Sequence, residues 1–186
     1  PVAVLWPIKS FHHLNLPWQA GPGGLREELM ELIQKLLESH VGIQILDEAD
    51  FQSAKLKDGI LRVGKAAYSQ IIVPGSIVWT KKTWELLEKC KKAKLRVYRH
   101  GTKPSYLETG ITIENIKGAQ FKELTDEAIR TELPELIEIS SDEPENIRVT
   151  SWVKGRNKFY LLCYLGEGKV KAEAGQRRLE LSSQEI

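Results

Sequence analysis

The stretch Leu61-Arg-Val-Gly-Lys-Ala-Ala-Tyr-Ser-Gln-Ile-Ile-Val-Pro-Gly75 carries the clearest information about fold class, because in it a buried strand leads directly into a turn. That strand is predicted over residues 70–73 and is almost entirely apolar, as expected of a strand that is covered on both faces. A helix is predicted over 81–93, and another apolar strand over 95–98. A strand, a turn, a helix and a second strand make the unit from which parallel sheets are built.

Further elements extend this unit in both directions. Apolar residues recur at helical spacing from Leu25 to Leu37, and Asp58-Gly59 has the turn chemistry of a hairpin tip. Thr80 and Thr125 are suitable N-caps for the helices that follow them. The other predicted elements are a strand over 2–6, a long loop over 8–24, a strand over 43–46, a hairpin over 55–63 and a fifth strand over 111–116.

The pattern changes after Ser140. A polar linker is predicted over 141–146, and antiparallel strands over 147–153, 158–165 and 169–174 follow without helices between them. We therefore expect two units, an α/β domain over 1–140 and a β-strand tail over 141–186. The tail is predicted to be a small antiparallel meander that begins or belongs to a β-sandwich, since so few strands do not make an independent one.

The order of these pieces, from Val41-Gly-Ile-Gln-Ile-Leu-Asp-Glu48 to Tyr98-Arg-His-Gly-Thr-Lys-Pro104, resembles one family. It is similar to the amidotransferase-like α/β domain found as a non-catalytic module in large bacterial glycoside hydrolases. Such modules include the trimerization domain of β-galactosidases and the equivalent domain of α-L-rhamnosidase-like enzymes. The resemblance implies a three-layer α/β/α fold with a mostly parallel sheet, of the class I amidotransferase-like or flavodoxin-like type. It also implies that the catalytic acids lie in a separate barrel domain.

Composition narrows the function classes. The chain has 186 residues, of which 41% are hydrophobic, and a formal net charge of +2. Nearly balanced charge argues against nucleic acid as a partner, because phosphate binding requires clustered Lys and Arg. No signal peptide or membrane span is evident, so a soluble protein without a membrane partner is predicted, with the cytoplasm favoured. A start at Pro1 without Met suggests a piece cut from a longer polypeptide, with a processed terminus as the alternative.

Amidotransferase catalysis is not expected. It requires a nucleophilic Cys on a sharp strand-to-helix turn, and neither Pro74-Gly75-Ser76 nor Arg99-His100-Gly101-Thr102 supplies one. Cys90 and Cys163 are both predicted to be buried small hydrophobes. Ser76 lacks the second small residue of a G-x-S-x-G elbow, and the acids at 47, 48 and 50 are typical of a solvated turn. No catalytic residue is therefore assigned.

No metal or cofactor is predicted. The adjacent His12 and His13 diverge and have no partner at chelating spacing. Gly21-Pro22-Gly23-Gly24 does not follow G-x-G-x-x-G, and Pro22 removes an N–H that a phosphate cradle would use. A flavin site has no specific support either.

The remaining candidate ligand or interface residues follow from their positions in the predicted fold. Ligands of open α/β sheets gather at the carboxyl ends of the strands. Aromatic residues with polar neighbours at those ends suit either a sugar or a domain interface, and we favour the interface. The candidate ligand or interface residues are Trp6, His12, His13, Trp18, Ser76, Arg99 and His100.

Three functions remain open. The first is a non-catalytic accessory domain of a glycoside hydrolase, used for scaffolding, oligomerisation or trimming of the active site. Its partners would be the other domains of the parent polypeptide, with a carbohydrate and a second copy of the chain as further candidates. The alternative is a free-standing small-molecule-binding or hydrolase domain that uses the strand-end crevice, and the third is a protein-interaction module. An excised domain should expose apolar side chains, and the candidates are Phe11, Leu14, Trp18, Trp152 and either Tyr160 or Tyr164.

Overall fold

The structure is a computed structural model that describes residues 1–13, 24–113 and 120–182. The α/β part contains the following elements: β1 (Val2–Leu5), α1 (Ile8–His13), α2 (Leu25–Glu38), β2 (Ile43–Leu46), α3 (Glu48–Gln52), β3 (Lys55–Lys57), β4 (Ile60–Val63), β5 (Ala66–Tyr68), β6 (Gln70–Val73), β7 (Val78–Trp79), α4 (Lys81–Lys92), β8 (Arg96–Arg99), β9 (Tyr106–Leu107), β10 (Lys122–Glu123) and α5 (Asp126–Glu132). The tail contains β11 (Ile139–Ser141), a 3₁₀ helix (Pro144–Asn146), β12 (Ile147–Lys154), β13 (Asn157–Tyr164), β14 (Lys169–Ala174) and β15 (Arg177–Ser182).

A five-stranded parallel sheet forms the centre of the α/β part. Its strand order is β10-β8-β6-β1-β2, and every neighbouring pair is parallel. Counted in chain order, these strands are arranged 2-1-3-4-5, so the direction of winding reverses between β1 and β6. The prediction of an α/β fold with a parallel sheet is confirmed, and the reversal locates the point at which such sheets usually offer a crevice.

Both faces of the sheet are buried. On one face Val2, Val4 and Tyr98 pack against α2 and α5. On the other, Ala3 and Val73 pack against α3, α4 and the antiparallel strands β3, β4 and β5. Consecutive strand residues point to opposite faces, so apolar runs such as 70–73 serve both cores.

Local signals define α2, α4 and α5 well. Leu25, Leu29, Leu32 and Leu36 are the buried residues of α2, which matches the predicted helical spacing. The Thr80 hydroxyl accepts the Thr83 N–H of α4 at 3.2 Å, and the Thr125 hydroxyl accepts the Ala128 N–H of α5 at 3.1 Å. Both predicted N-caps are therefore confirmed.

Two predictions about local structure are wrong. Residues 8–13 form the short helix α1 rather than loop. The fifth strand of the parallel sheet is β10, at Lys122–Glu123, and not the predicted segment 111–116. Within that segment, Thr112 forms only an isolated bridge with Tyr106, and residues 114–119 lie outside the described residues. A two-residue strand has no periodicity from which it could be predicted.

The tail forms two sheets rather than one continuous meander. β12 pairs with β13, whereas β14 pairs with β11 and β15. Their facing residues, which include Ile147, Val149 and Val170, form a small core of their own. The predicted boundary after residue 140 falls within β11, and the division into two domains stays a prediction.

His40 joins the tail to the end of α2. Its Nε2 lies 3.1 Å from the carbonyl oxygens of both Pro144 and Ile147. The His40 carbonyl accepts the Leu136 N–H at 2.9 Å. The tail is thus fastened to the α/β part at the end of its longest helix. In the described part of the chain, no helix is long and apolar enough to cross a membrane.

Candidate functional site

Four of the predicted site residues follow parallel strands at the same edge of the sheet. Trp6 follows β1, Ser76 follows β6, and Arg99 and His100 end or follow β8. The Ser76 N–H donates to the Thr102 carbonyl at 3.2 Å, so the turns after β6 and β8 touch. This edge is the crevice where an open α/β sheet binds a ligand.

Ser10 bridges the crevice between β1 and β6, where the direction of winding of the sheet reverses. Ser10, on α1, is fully buried, and its hydroxyl accepts the N–H groups of Ile77 and Val78 at 2.8 and 3.0 Å. The same hydroxyl donates to the Val78 carbonyl at 3.1 Å. The segment after β1 is therefore bound to the segment after β6, and the backbone groups that a ligand would use there are already paired.

The contacts of Ser76 are those of a residue that stabilises the fold. Its side chain is fully buried, and its hydroxyl oxygen accepts the indole N–H of Trp79 at 2.7 Å. The strand β7 separates it from the start of α4, so no helix N-terminus points at it. A nucleophilic serine requires a neighbouring base and an exposed position on a strand-to-helix turn. Ser76 is instead buried, and its hydroxyl is bonded to an indole N–H.

Glu28 fills the gap between the turns after β6 and β8. Its carboxylate accepts the Thr102 N–H and the Thr102 hydroxyl, each at 2.7 Å. A methyl group added at either Gly75 or Gly101 would overlap with Oε2 of this carboxylate. Gly101 also adopts φ 74°, which a residue with a side chain rarely does. A carboxylate from α2 thus occupies the space between these two turns, neither of which supplies a cysteine.

We expect Gly75→Ala and Glu28→Ala to destabilise the protein by similar amounts, about 1–3 kcal/mol each. The alanine methyl at position 75 must displace the Glu28 carboxylate, so both substitutions lose the same bonds to Thr102. The double variant should then be little worse than either single one, which urea denaturation of the four proteins would measure. Strictly additive effects would contradict the contact.

Arg99 and His100 lie at the end of β8 and immediately after it. Burial lowers the pKa of the His100 imidazole, and the nearby Lys35 ammonium lowers it further. Its Nδ1 is buried and has no hydrogen-bond partner. The Arg99 guanidinium is paired with Glu123 of the neighbouring strand at 2.8 Å. Arg99 is therefore engaged within the sheet, and His100 is kept neutral.

The remaining candidates do not join this cluster. Trp6 packs against the core beneath α2, with its ring centroid 6.1 Å from that of Phe11. Phe11 is buried, which corrects its prediction as an exposed side chain. His12 is exposed on α1. Trp18 and Leu14 lie outside the described residues, as does the side chain of His13. The described residues contain no cluster of three or more His, Cys, Asp or Glu able to hold a metal ion.

The two cysteines differ. Cys90 is fully buried in α4, as predicted, and burial raises the pKa of its thiol to about 12. Cys163 is exposed, so the prediction that it is buried is wrong. Its neighbour Tyr164 faces the tail core, and adjacent strand residues point to opposite faces.

A thiol reagent should therefore distinguish the two. At pH 8, Ellman's reagent should modify one thiol per folded chain, because Cys90 forms almost no thiolate several units below its pKa. Cys163→Ser should abolish the fast reaction, and Cys90→Ser should leave it unchanged. Two fast-reacting thiols in the folded protein would contradict the burial of Cys90.

Glu28 and Ser10 are the residues that the sequence failed to indicate. Glu28 looks like one of several acids on the exposed side of a helix, and Ser10 lies in a segment predicted to be loop. Their partners are 74 and 68 residues away along the chain. Gly75 and Gly101, each two residues after a parallel strand, are the positions at which such a close approach could have been suspected.

Comparisons with known proteins relate this fold to glycoside hydrolases. No protein-family profile and no curated protein sequence matches the chain. Among solved structures, Gan42B, a GH42 β-galactosidase from G. stearothermophilus, matches 99% of the chain with a TM-score of 0.63 and 10% identity. The exo-carrageenase GH42 from Bacteroides ovatus matches 94% of the chain with a TM-score of 0.61 and 13% identity.

The matched region is a minor part of each of those proteins. The chain spans 39% of the length of Gan42B and 24% of that of the exo-carrageenase. Identity is low in both cases, so the likeness concerns the fold. The chain therefore has a fold similar to that of one region of each of these two glycoside hydrolases.

Proposed function

We propose that the chain is a non-catalytic accessory domain of a glycoside hydrolase. In this role it supports the assembly of the enzyme or shapes one wall of its active site. The observation that carries the proposal is the coverage of the match. Nearly the whole chain aligns with Gan42B, yet it accounts for only 39% of that β-galactosidase. Because the chain superposes on one region of a larger enzyme, we expect it to function as one domain of a larger enzyme.

The strand-end crevice supports a non-catalytic role. Glu28 fills the space between the turns after β6 and β8, and its two oxygens are already bonded to Thr102. The Ser76 hydroxyl accepts from Trp79, and Cys90 is buried in a helix. These contacts weigh against the alternative of a free-standing hydrolase or small-molecule-binding domain, because that alternative needs an open crevice with a free nucleophile or ligand.

We also infer the finer fold type, a three-layer amidotransferase-like or flavodoxin-like arrangement. The support is the strand order 2-1-3-4-5 together with the burial of both sheet faces under helices. That strand order is one of the two common orders of doubly wound sheets.

The partners in this proposal are other domains of the same polypeptide. One face of the β12–β13 pair supports such an interface, since Phe159 is 39% and Leu161 is 57% exposed. These residues replace the predicted Tyr160 and Tyr164, which face the tail core with partial or full burial. The Trp152 side chain lies outside the described residues. Exposed apolar side chains on one strand face are typical of a surface that another domain covers.

The decisive experiment compares this chain with the full reading frame from which it comes. The chain alone should show background rates with β-galactosides, glutamine and carboxylic esters, whereas the product of the full reading frame should hydrolyse a glycoside. Deleting the chain from that product should reduce its activity or its assembly, measured by hydrolysis rate and sedimentation.

Two results would contradict the proposal. One is a reading frame that encodes no glycoside hydrolase domain beside this chain. The other is turnover by the chain alone that is abolished in Ser76→Ala, which would restore the alternative of a free-standing hydrolase.

A further inference from the structure

A groove of about 400 Å³ lies between α4 and the turn that follows β9. Leu107 of β9 and Ile111 of the turn line one side of it, and Trp84 and Glu88 of α4 line the other. Its volume is within the range of small-molecule sites. None of the described candidates at the strand-end crevice lines it, so the groove is a separate feature.

Two buried polar atoms beside this groove have no hydrogen-bond partner. They are the indole Nε1 of Trp84 and the carboxylate Oε1 of Glu88. Trp84 is only 2% exposed, and Glu88 is partly buried. The two residues are four positions apart on α4 and therefore lie on the same side of the helix. Unpaired buried groups are uncommon in folded proteins and point to an absent partner.

The chemistry of the two atoms defines that partner. The indole N–H can only donate, and the carboxylate oxygen can only accept. A hydroxyl group does both at once, so a single hydroxyl can satisfy the pair. A protonated amine cannot accept from the indole, and a carboxylate or phosphate cannot donate to Glu88.

The rim of the groove also combines hydrogen-bond donors with acceptors. Lys81, Lys89 and Lys92 offer donors, and Glu85 offers a second acceptor. With both signs of charge around the rim, an anion would meet the carboxylates and a cation would meet the lysines. A neutral molecule that carries several hydroxyl groups can use both kinds of residue, while Leu107 and Ile111, the latter 47% exposed, can pack against its C–H surface.

We propose that this groove binds a neutral, polyhydroxylated ring of monosaccharide size, with one ring hydroxyl bonded to both Trp84 Nε1 and Glu88 Oε1. Glu88 is only partly buried, so its side chain has room to rotate toward the groove in this proposal. The site is independent of the proposed enzyme assignment, because it rests on the groove and its unpaired atoms alone.

The test is a titration of the ¹⁵N-labelled chain with galactose, glucose and glycerol, followed through the indole N–H resonance of Trp84. The chain has five tryptophans, and the signal lost in Trp84→Phe identifies the relevant one. Galactose or glucose should shift this signal and the Ile111 amide with saturation, at a dissociation constant on the order of 1–10 mM.

Variants of groove residues then distinguish binding at this groove from non-specific effects of the sugar on the protein. Trp84→Phe and Glu88→Ala should each weaken binding by about fivefold or more, measured at the Ile111 amide. Lys82→Ala changes an exposed lysine on the same helix that does not line the groove, and it should bind normally. Glu88→Ala serves as the deciding variant if Trp84→Phe fails to fold.

Three outcomes would overturn the proposal. The first is a linear or absent response to both sugars. The second is unchanged affinity in Glu88→Ala. The third is a response to glycerol as strong as that to the sugars, which would exclude a ring-specific site. A nuclear Overhauser contact between the Trp84 indole and a long-lived water, with no sugar response, would mean that water alone fills the pair.

Discussion

Replacement of Leu36 by alanine should lower the free energy of unfolding by about 2–5 kcal/mol. Leu36 is fully buried on α2, where it packs in the core between the parallel sheet and α5. The substitution removes apolar contacts and leaves a cavity that a tightly packed layer cannot close. Urea denaturation monitored by tryptophan fluorescence would measure the loss.

Met30 provides a matched control on the same helix. It is 49% exposed, so Met30→Ala removes a similar volume without opening a cavity, and its effect should stay within about 0.5 kcal/mol. Equal effects of the two substitutions, or an unchanged midpoint for Leu36→Ala, would mean that α2 is not packed on the sheet through this face.

Helices α2, α4 and α5 and the central strands could be predicted because their signals are local. The leucines of α2 repeat at helical spacing, and the strand at 70–73 is apolar along its whole length. Thr80 and Thr125 define helix starts through hydrogen bonds to residues three positions away. Signals of this kind depend only on neighbours in the chain.

Other elements have no local signal. β10 is two residues long and is defined by its pairing with β8. Cys163 lies in a run of apolar residues, Tyr160 to Leu165, in which alternation between faces cannot be read. Its exposure depends on the pairing of β13 with β12, which directs Tyr164 inward. Register, and not composition, decides such cases.

The crevice illustrates the same limit for function. Its position could be predicted from the order of strands, since ligands gather at their carboxyl ends. The presence of Glu28 in the crevice could not be predicted, because Glu28 belongs to a helix far away in sequence from the turns that it contacts. The absence of a cysteine from the turns argued against amidotransferase catalysis. The Glu28–Thr102 bonds and the hydrogen bonds of Ser10 show that side chains in the crevice instead stabilise the fold.

A second carboxylate, which is buried, also serves as a structural link. Glu48 is 5% exposed, and its Oε2 accepts the backbone N–H of Thr80 at 3.1 Å. It also accepts the hydroxyls of Thr80 and Thr83, at 2.6 and 2.8 Å. Gln52 donates to both hydroxyls at 2.8 and 2.9 Å. This network joins α3 to the first turn of α4, where a carboxylate also interacts favourably with the helix dipole.

Glu48→Ala should therefore lower the free energy of unfolding by about 2–4 kcal/mol, because it leaves the Thr80 N–H and the buried Thr83 hydroxyl without their acceptor. Glu48→Gln should cost less, since the amide oxygen can still accept. Asp50→Ala removes an exposed carboxylate from the same short helix and should have an effect within about 0.5 kcal/mol.

A double-variant comparison identifies the cause of the loss. Thr83→Val removes one donor of the network and keeps the side-chain shape, so its effect should be smaller in the Glu48→Ala background than in the wild-type protein. Denaturation of the four proteins provides the coupling energy. If Thr83→Val costs the same in both backgrounds, the loss in Glu48→Ala comes from a cavity at α3, and the carboxylate is not the link between the two helices.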